Sequence, residues 1–346
     1  MIGLSKLESI IFIIVVILAI NYIVLIAHDR LTGGGTSAHT YTNTNASTNS
    51  FEGFEDAGAN TAITAADNTK IKWLQTEDIY DDFYASVHDK LTQHTSRLQS
   101  QVAMVLHEWS QQIPKDQMVI MDGGSGTGVV ACQMAKDGVG QIIAVDKSPA
   151  MMRYAQKTIL PATTLTETQR QNIDWRQSDL LNPSTCRPAE LSHAALFYFT
   201  IYYIRDIDTL FKNLFTWIKP GGHLMVEVVN KYKFEAVLDS SNPWVAFSPQ
   251  KYAKERITKS KVSFDKFDYE AEFDLEDPRA EFKEVFHFKD GSKRHHKHVL
   301  WMPSIENIIQ RAKENGFEYK KYIEMTPFGF PYAYMLMFRR SPLKIA

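Results

Sequence analysis

Hydrophobic positions divide the chain into three stretches of different pattern. Ile10 to Ala27 is apolar except for Asn21 and Tyr22, and at ~1.5 Å per helical residue it nearly crosses a hydrocarbon core of ~30 Å. Residues 1–30 therefore read as a single-pass membrane anchor. The run exceeds the roughly 7–15 residue core of a secretory signal, and no small-x-small cleavage site follows it. Residues 31–69 are dominated by Gly, Ser, Thr, Asn and Ala, a composition that buries too little surface to fold and reads as a flexible linker. Regular patterning starts near Ile71, so residues 70–346 read as one folded domain.

Within that domain, Trp73, Leu74, Ile79, Tyr80, Phe83, Tyr84, Val87 and Leu91 recur at helical spacing. A second amphipathic run goes from Leu98 to Trp109. A short apolar run then ends in Asp122, passes through the glycine turn Gly123 to Gly128, and enters a helix at Val129. Ile142 to Val145 ends in Asp146, and Ser148-Pro149 caps the helix through Met151 and Met152. Ile173 to Gln177 reads as a strand, Ala194 to Thr200 as a buried strand, and Asp206 to Trp217 as an amphipathic helix. Lys219-Pro220-Gly221-Gly222 then breaks the chain before the strand Leu224 to Val229. Strand alternating with helix predicts an α/β fold, a parallel sheet covered on both faces. The later chain differs. Phe264 to Phe273, Glu281 to Phe288 and Lys293 to Trp301 read as antiparallel strands, with Asp290-Gly291 as a hairpin turn. Ser304 caps a helix stopped at Asn315-Gly316, and the strands Phe317 to Met325 and Tyr332 to Arg339 close the domain.

Composition changes this picture little. The net charge of -2 gives no footprint for nucleic acid. Two cysteines, Cys132 and Cys186, lack metal-like spacing and fit a reducing compartment.

The chemistry gathers at predicted strand ends. In an open α/β sheet, ligands bind outside the carboxyl ends of the strands where strand order reverses, and Asp122, the glycine turn, Asp146, Asp179 and Thr200 all fall there. Glycines allow backbone N–H groups to approach a ligand at a helix N-terminus. A carboxylate at the second strand's end accepts both hydroxyls of a ribose. The turn Asp122-Gly-Gly124-Ser-Gly126-Thr-Gly128 lacks the G-x-G-x-x-G spacing of pyrophosphate binders. Its acidic residue would repel pyrophosphate but attract an ammonium group.

With MDGGSGTG at the first strand, AVDKSPAMM at the second, QSDLL at the third and the run from Phe199 to Gly222 with WIKPGGHL, the chain resembles the class I S-adenosylmethionine-dependent methyltransferases from about Tyr80 to Val229. Gly123 departs from the common motif, where one variable residue stands before the glycine. The resemblance implies a Rossmann-like seven-stranded sheet closed by an antiparallel pair, with residues 261–301 as a β insertion facing substrate. It implies S-adenosylmethionine as cofactor. The methionine part would lie on Asp122, Gly123, Gly124, Gly126 and Gly128, the ribose on Asp146 beside Lys147, and the adenine on Ser178, Asp179 and Leu180 near Phe199. Tyr84 matches a helical aromatic that closes such sites; packing is the other reading of the aromatic stripe, Tyr80 included.

Methyl transfer from a sulfonium needs alignment, exclusion of water and removal of at most one proton. Thr200, Tyr202 and Tyr203 are the residues placed to orient an acceptor, with ordinary packing as the alternative. His193 precedes its strand, at the wrong end. His296 and His298 share a strand face, as metal ligands would, but no neighbouring Cys or carboxylate cluster completes a site. The hairpin with His295, His296 and His298 therefore reads as basic and solvated, and no metal is expected. The reading is a membrane-tethered methyltransferase, its domain on the cytosolic side where the cofactor is supplied, acting on a small molecule, lipid or protein. An NAD(P)-linked oxidoreductase and a non-catalytic cofactor-binding module are the alternatives.

Overall fold

Apolar strands alternating with amphipathic helices build a seven-stranded sheet in the computed structural model, which describes residues 72–92, 94–237 and 256–342. These residues belong to one compact unit, Asp67–Ala346. The expected anchor over residues 10–27 and the linker lie outside the described residues. Among the described residues no helix is long and apolar enough to cross a membrane.

In chain order the elements are β1 (Trp73–Gln75), α1 (Asp82–Leu91), α2 (His94–Ser110), β2 (Val119–Gly123), α3 (Val129–Lys136), β3 (Gln141–Asp146), α4 (Pro149–Tyr154), α5 (Glu167–Gln171), β4 (Ile173–Gln177), β5 (Leu191–Leu196), α6 (Ile207–Trp217) and β6 (Ile218–Val229). Then come β7 (Lys259–Ser263), β8 (Phe267–Glu276), β9 (Arg279–Phe288), β10 (Lys293–Trp301), α7 (Ile305–Glu314), β11 (Phe317–Glu324) and β12 (Ala333–Arg340). The large sheet runs β11-β12-β6-β5-β2-β3-β4. Strands β2 to β6 pair in parallel, and β12 lies antiparallel to both β6 and β11. Ile120, Met121, Ile142 to Val145 and Ala194 to Leu196 are fully buried, as strands covered on both faces must be. Strand order reverses between β2 and β5, which puts the ligand crevice at their carboxyl ends.

Three expectations need correction. The strand expected from Ala194 to Thr200 starts three residues earlier and ends four earlier, as β5. Tyr198 takes a positive φ of 53° and its N–H bonds to Glu227, 2.6 Å away, which turns the chain out of the sheet. His193 consequently lies within β5 and not before it; it is fully buried between Trp109 and His223, which keeps its imidazole uncharged to about pH 3. The Lys219 to Gly222 break is a bulge inside β6. Ile218 pairs with Leu191 and His223 with His193, so the extra residues bow outward without ending the strand.

The second sheet runs β1-β10-β9-β8-β7. Here the expected antiparallel insertion is extended at both edges. β7 was not foreseen, and Trp73–Gln75, expected to open a helix, instead pairs in parallel with His295–Lys297. The helix starts later, where Asp81 accepts from the Tyr84 N–H (3.0 Å) as its N-cap. The Asp290-Gly291 turn joins β9 to β10 as expected, with Gly291 at φ 87°.

Candidate active site

The glycine turn is built by crowding from outside it. Gly124 and Gly128 take positive φ values of 73° and 77°. A Cβ on the first would lie 2.7 Å from the Thr200 side chain, and on the second 2.5 Å from the Trp175 ring. Both N–H groups of Gly124 and Ser125 donate to the Val145 carbonyl, at 2.8 and 2.9 Å. The turn is thereby fixed to the end of β3. Just beyond, Asp146 accepts from Gly126 N–H at Oδ2 and from Ser148 N–H at Oδ1, each 2.8 Å. Ser148 also caps α4 through the Met151 N–H and ties its hydroxyl to the Tyr80 carbonyl, 2.7 Å away. Burial raises the Asp146 carboxyl, and these two N–H groups oppose the rise. A carboxylate offers about four acceptor sites, so two remain for a ligand.

Asp122 sits at the end of β2 with 1 % of its surface exposed, and its Oδ2 has no hydrogen-bond partner among the described residues. Burial, with the charge of Asp146 second, pushes its carboxyl up to about 7. A buried carboxylate with an open oxygen is costly unless a cation or donor meets it.

A cavity of about 1050 Å³ opens over this turn. Tyr84, Asp122, Gly124, Gly126, Asp146, Lys147, Ser178, Asp179, Leu180, Phe199, Thr200 and Tyr203 all line it. Asp179 has one oxygen engaged by Leu181 N–H at 2.8 Å, and Lys147 pairs with Glu77 at the rim, 3.1 Å away. Three expected residues stand outside. A Cβ on Gly123 would lie 2.6 Å from Leu196, which shows its place in the packing of β2 against β5. Gly128 faces Trp175. Tyr202 is 1 % exposed, and its hydroxyl accepts from Val229 N–H at 2.9 Å, so it packs in the core.

The opposite wall comes from the small sheet and α1, and here the solvated hairpin is overturned. His296 and His298 are 0 % and 1 % exposed, and Glu284, on the neighbouring strand, is 1 % exposed. His298 Nε2 lies 2.7 Å and His296 Nδ1 3.2 Å from Glu284 Oε2, while Tyr269 donates to Oε1 at 2.7 Å. His295, by contrast, packs edge-on to Trp73. The expectation that no carboxylate completes this group does not hold: Glu284, His296 and His298 bring their ligand-type atoms within 4.8 Å of one another. Tyr80, Tyr84 and Tyr203 cover this group from the cavity side.

Comparison with known proteins now bears on this geometry. The methyltransferase-domain family matches residues 94–322. The chain belongs to this family. Its fold is shared with an S-adenosylmethionine-dependent methyltransferase from Clostridium acetobutylicum ATCC 824, 16% identical over 75% of this chain and 98% of that one, TM-score 0.55. The CcbJ methyltransferase from Streptomyces caelestis is 14% identical over 77% and 99%, also at 0.55. An S-adenosylmethionine-bound amino pentose methyltransferase from Micromonospora echinaspora is 14% identical over 70% and 92%, at 0.50. No curated protein matches the chain.

The methyltransferase domain's residues fit S-adenosylmethionine. The open Asp122 oxygen suits the methionine ammonium, and the two remaining acceptor sites on Asp146 suit ribose hydroxyls. Sequence reasoning missed Glu284 as part of the site. A signal was present: Ala280, Phe282, Glu284 and Phe286 alternate onto one strand face, where a lone carboxylate among apolar residues marks a buried charge.

Proposed function

We propose that this chain is a membrane-tethered methyltransferase that uses S-adenosylmethionine to methylate an acceptor held between the glycine turn and the small sheet. Asp122 carries this reading, because a buried carboxylate with an unpartnered oxygen at the mouth of a glycine turn favours an ammonium group and disfavours a pyrophosphate. That choice speaks against a dinucleotide. Asp146 would hold the ribose, and Asp179 and Leu180 the adenine edge and face. The cavity, at the upper end of the ~300–1,000 Å³ usual for ligand pockets, leaves room for an acceptor beside a cofactor.

When bound, the cofactor supplies a methyl group on a positively charged sulfur, whose departure as a neutral thioether needs no acid. The chain's own part is to fix the cofactor by Asp122 and Asp146, close the cavity with Tyr80 and Tyr84, and present the acceptor. Residues 10–27 would anchor the protein, with the domain on the cytosolic side where the cofactor is made.

Calorimetry with S-adenosylhomocysteine and with NAD tests the cofactor, with binding expected for the first alone. Tighter binding of NAD would sink the reading. A labelled-methyl screen against membrane and cytosolic extracts then identifies the acceptor.

A further inference from the structure

The charged and polar groups on the acceptor side form an ordered chain. Arg294 Nε donates to His296 Nε2 at 2.6 Å, so His296 carries its proton on Nδ1, facing Glu284. Glu284 is a carboxylate that accepts from Tyr269, His296 and His298. Burial alone would raise it, but the imidazoles of His298 and His296 that bond to it outweigh burial and hold it below the usual carboxylate range. With Nε2–H of His298 directed at Glu284, its Nδ1 is left as an acceptor, and Tyr203 Oη stands 3.0 Å away. Tyr203 lines the cavity with 39 % of its surface exposed. A hydroxyl, an imidazole and a buried carboxylate thus stand in series, ending at the wall that would face the acceptor.

The same groups do not suit a metal ion. A neutral histidine bound through Nδ1 keeps its proton on Nε2, where His296 already meets the Arg294 N–H. Arg294 is itself held in place by Asp81 at 2.8 Å.

We propose that Tyr203, His298 and Glu284 form a proton relay that deprotonates the methyl acceptor, an amine or a hydroxyl; this rests on the methyltransferase reading above. The acceptor's N–H or O–H bond breaks as its proton joins Tyr203 Oη. The former Tyr203 proton forms a new N–H bond at His298 Nδ1. The acceptor keeps the electron pair with which it takes the methyl group. The imidazolium is stabilised by Glu284 and returns its proton to solvent through Tyr203 after product leaves. Tyr203 touches the acceptor, whereas His298 and Glu284 are positioning residues that act through it. The cavity wall around the Tyr203 hydroxyl desolvates it and raises the phenol, so it passes the proton on and does not store a phenolate. The titratable groups facing His298 are Tyr80 and Tyr84 from the α1 side, Tyr203, Glu284 on β9 and His296 on its own strand.

Nitrogen NMR of histidine-labelled full-length protein in detergent reads the relay without an acceptor, the His298 signal being identified by its loss in His298→Gln. The wild type should show the Nε2–H tautomer. Tyr203→Phe should shift the Nδ1 signal and leave His296 unmoved. Glu284→Gln should shift the His298 Nε2 signal, because the carboxylate that accepts its N–H is gone. A Nδ1–H tautomer, a Nδ1 signal blind to Tyr203→Phe, or stoichiometric zinc or iron by elemental analysis overturns the relay; if Glu284→Gln fails to fold, the Tyr203→Phe arm decides. With the acceptor from the methyl screen, Tyr203→Phe should lower kcat by about a hundredfold or more while the KM for the cofactor stays within about twofold, and wild-type kcat in this variant overturns the proposal. S-adenosylhomocysteine calorimetry on the same samples separates the two readings. Absent binding by the wild type overturns the methyltransferase reading itself, whereas intact binding with an unresponsive His298 overturns only the relay.

Discussion

Asp122 is a carboxylic acid buried beside a second carboxylate, and its titration links the empty and the loaded site. Its pKa, raised to about 7 by burial and by Asp146, means that the folded protein keeps a proton there which the unfolded chain gives up near pH 4. The stability due to that proton is complete below about pH 4 and is lost as pH rises through about 7. Asp146 is raised as well and acts with the same sign. Asp122→Asn should therefore flatten much of the fall in denaturation midpoint between pH 5 and pH 8; an unchanged slope would mean that Asp122 is ionised throughout. Binding an ammonium group runs the other way. Affinity for S-adenosylhomocysteine should rise with pH through about 7 in the wild type and lose that dependence in Asp122→Asn, as calorimetry at the two pH values would show. Asp146→Ala removes acceptors for two hydroxyls. Hydrogen bonds to a charged group contribute about 1.5–3 kcal/mol each, so affinity should drop tenfold at the least, and an unchanged Kd would place the ribose elsewhere.

At the scale of elements, the glycine turn offers an internal comparison. Gly126 and Gly128 both have positive φ, yet a Cβ on Gly126 meets nothing within 4 Å whereas one on Gly128 meets Trp175. Alanine at either costs about 1–2 kcal/mol for the left-handed backbone, and Gly128→Ala adds the displacement of Trp175. Thermal melts should rank Gly128→Ala below Gly126→Ala and both below the wild type; equal melting temperatures would show that Trp175 moves freely. Such a turn is legible in sequence because glycine and short-range spacing encode it. The cross-strand group is not written that way. His296 stands opposite Glu284 in the β9–β10 register, a pairing that emerges only when the hairpin at Asp290-Gly291 is counted outward residue by residue. Reading each strand's faces alone leaves the two histidines without a carboxylate. The edge strand β1 was illegible for a further reason: three residues pairing with a strand more than two hundred positions away leave no local periodicity. Tyr202 and Tyr203 show the limit at finer grain, since adjacent tyrosines of equal promise differ only in whether the chain turns the ring toward Val229 or toward His298.

For the whole molecule, the proposed anchor makes a direct claim about partitioning. The full chain should stay with the membrane pellet through alkaline carbonate extraction. Val16→Arg with Leu18→Arg should release it, since charges at a helix centre cost about 2.5–3.5 kcal/mol each on the insertion scale. A wild-type chain found in the supernatant would remove the tether from the reading and leave the site untouched. One consequence of the small sheet's make-up concerns mechanics. Trp73–Gln75 is the first strand among the described residues and lies parallel to His295–Lys297, so tension arriving from the N-terminal side along the strand axis loads every rung of β1 against β10 together, in shear. The next residue of β10 is His298. Force on the tether would thus be felt first on the acceptor side of the cavity, with the glycine turn in a separate sheet behind it.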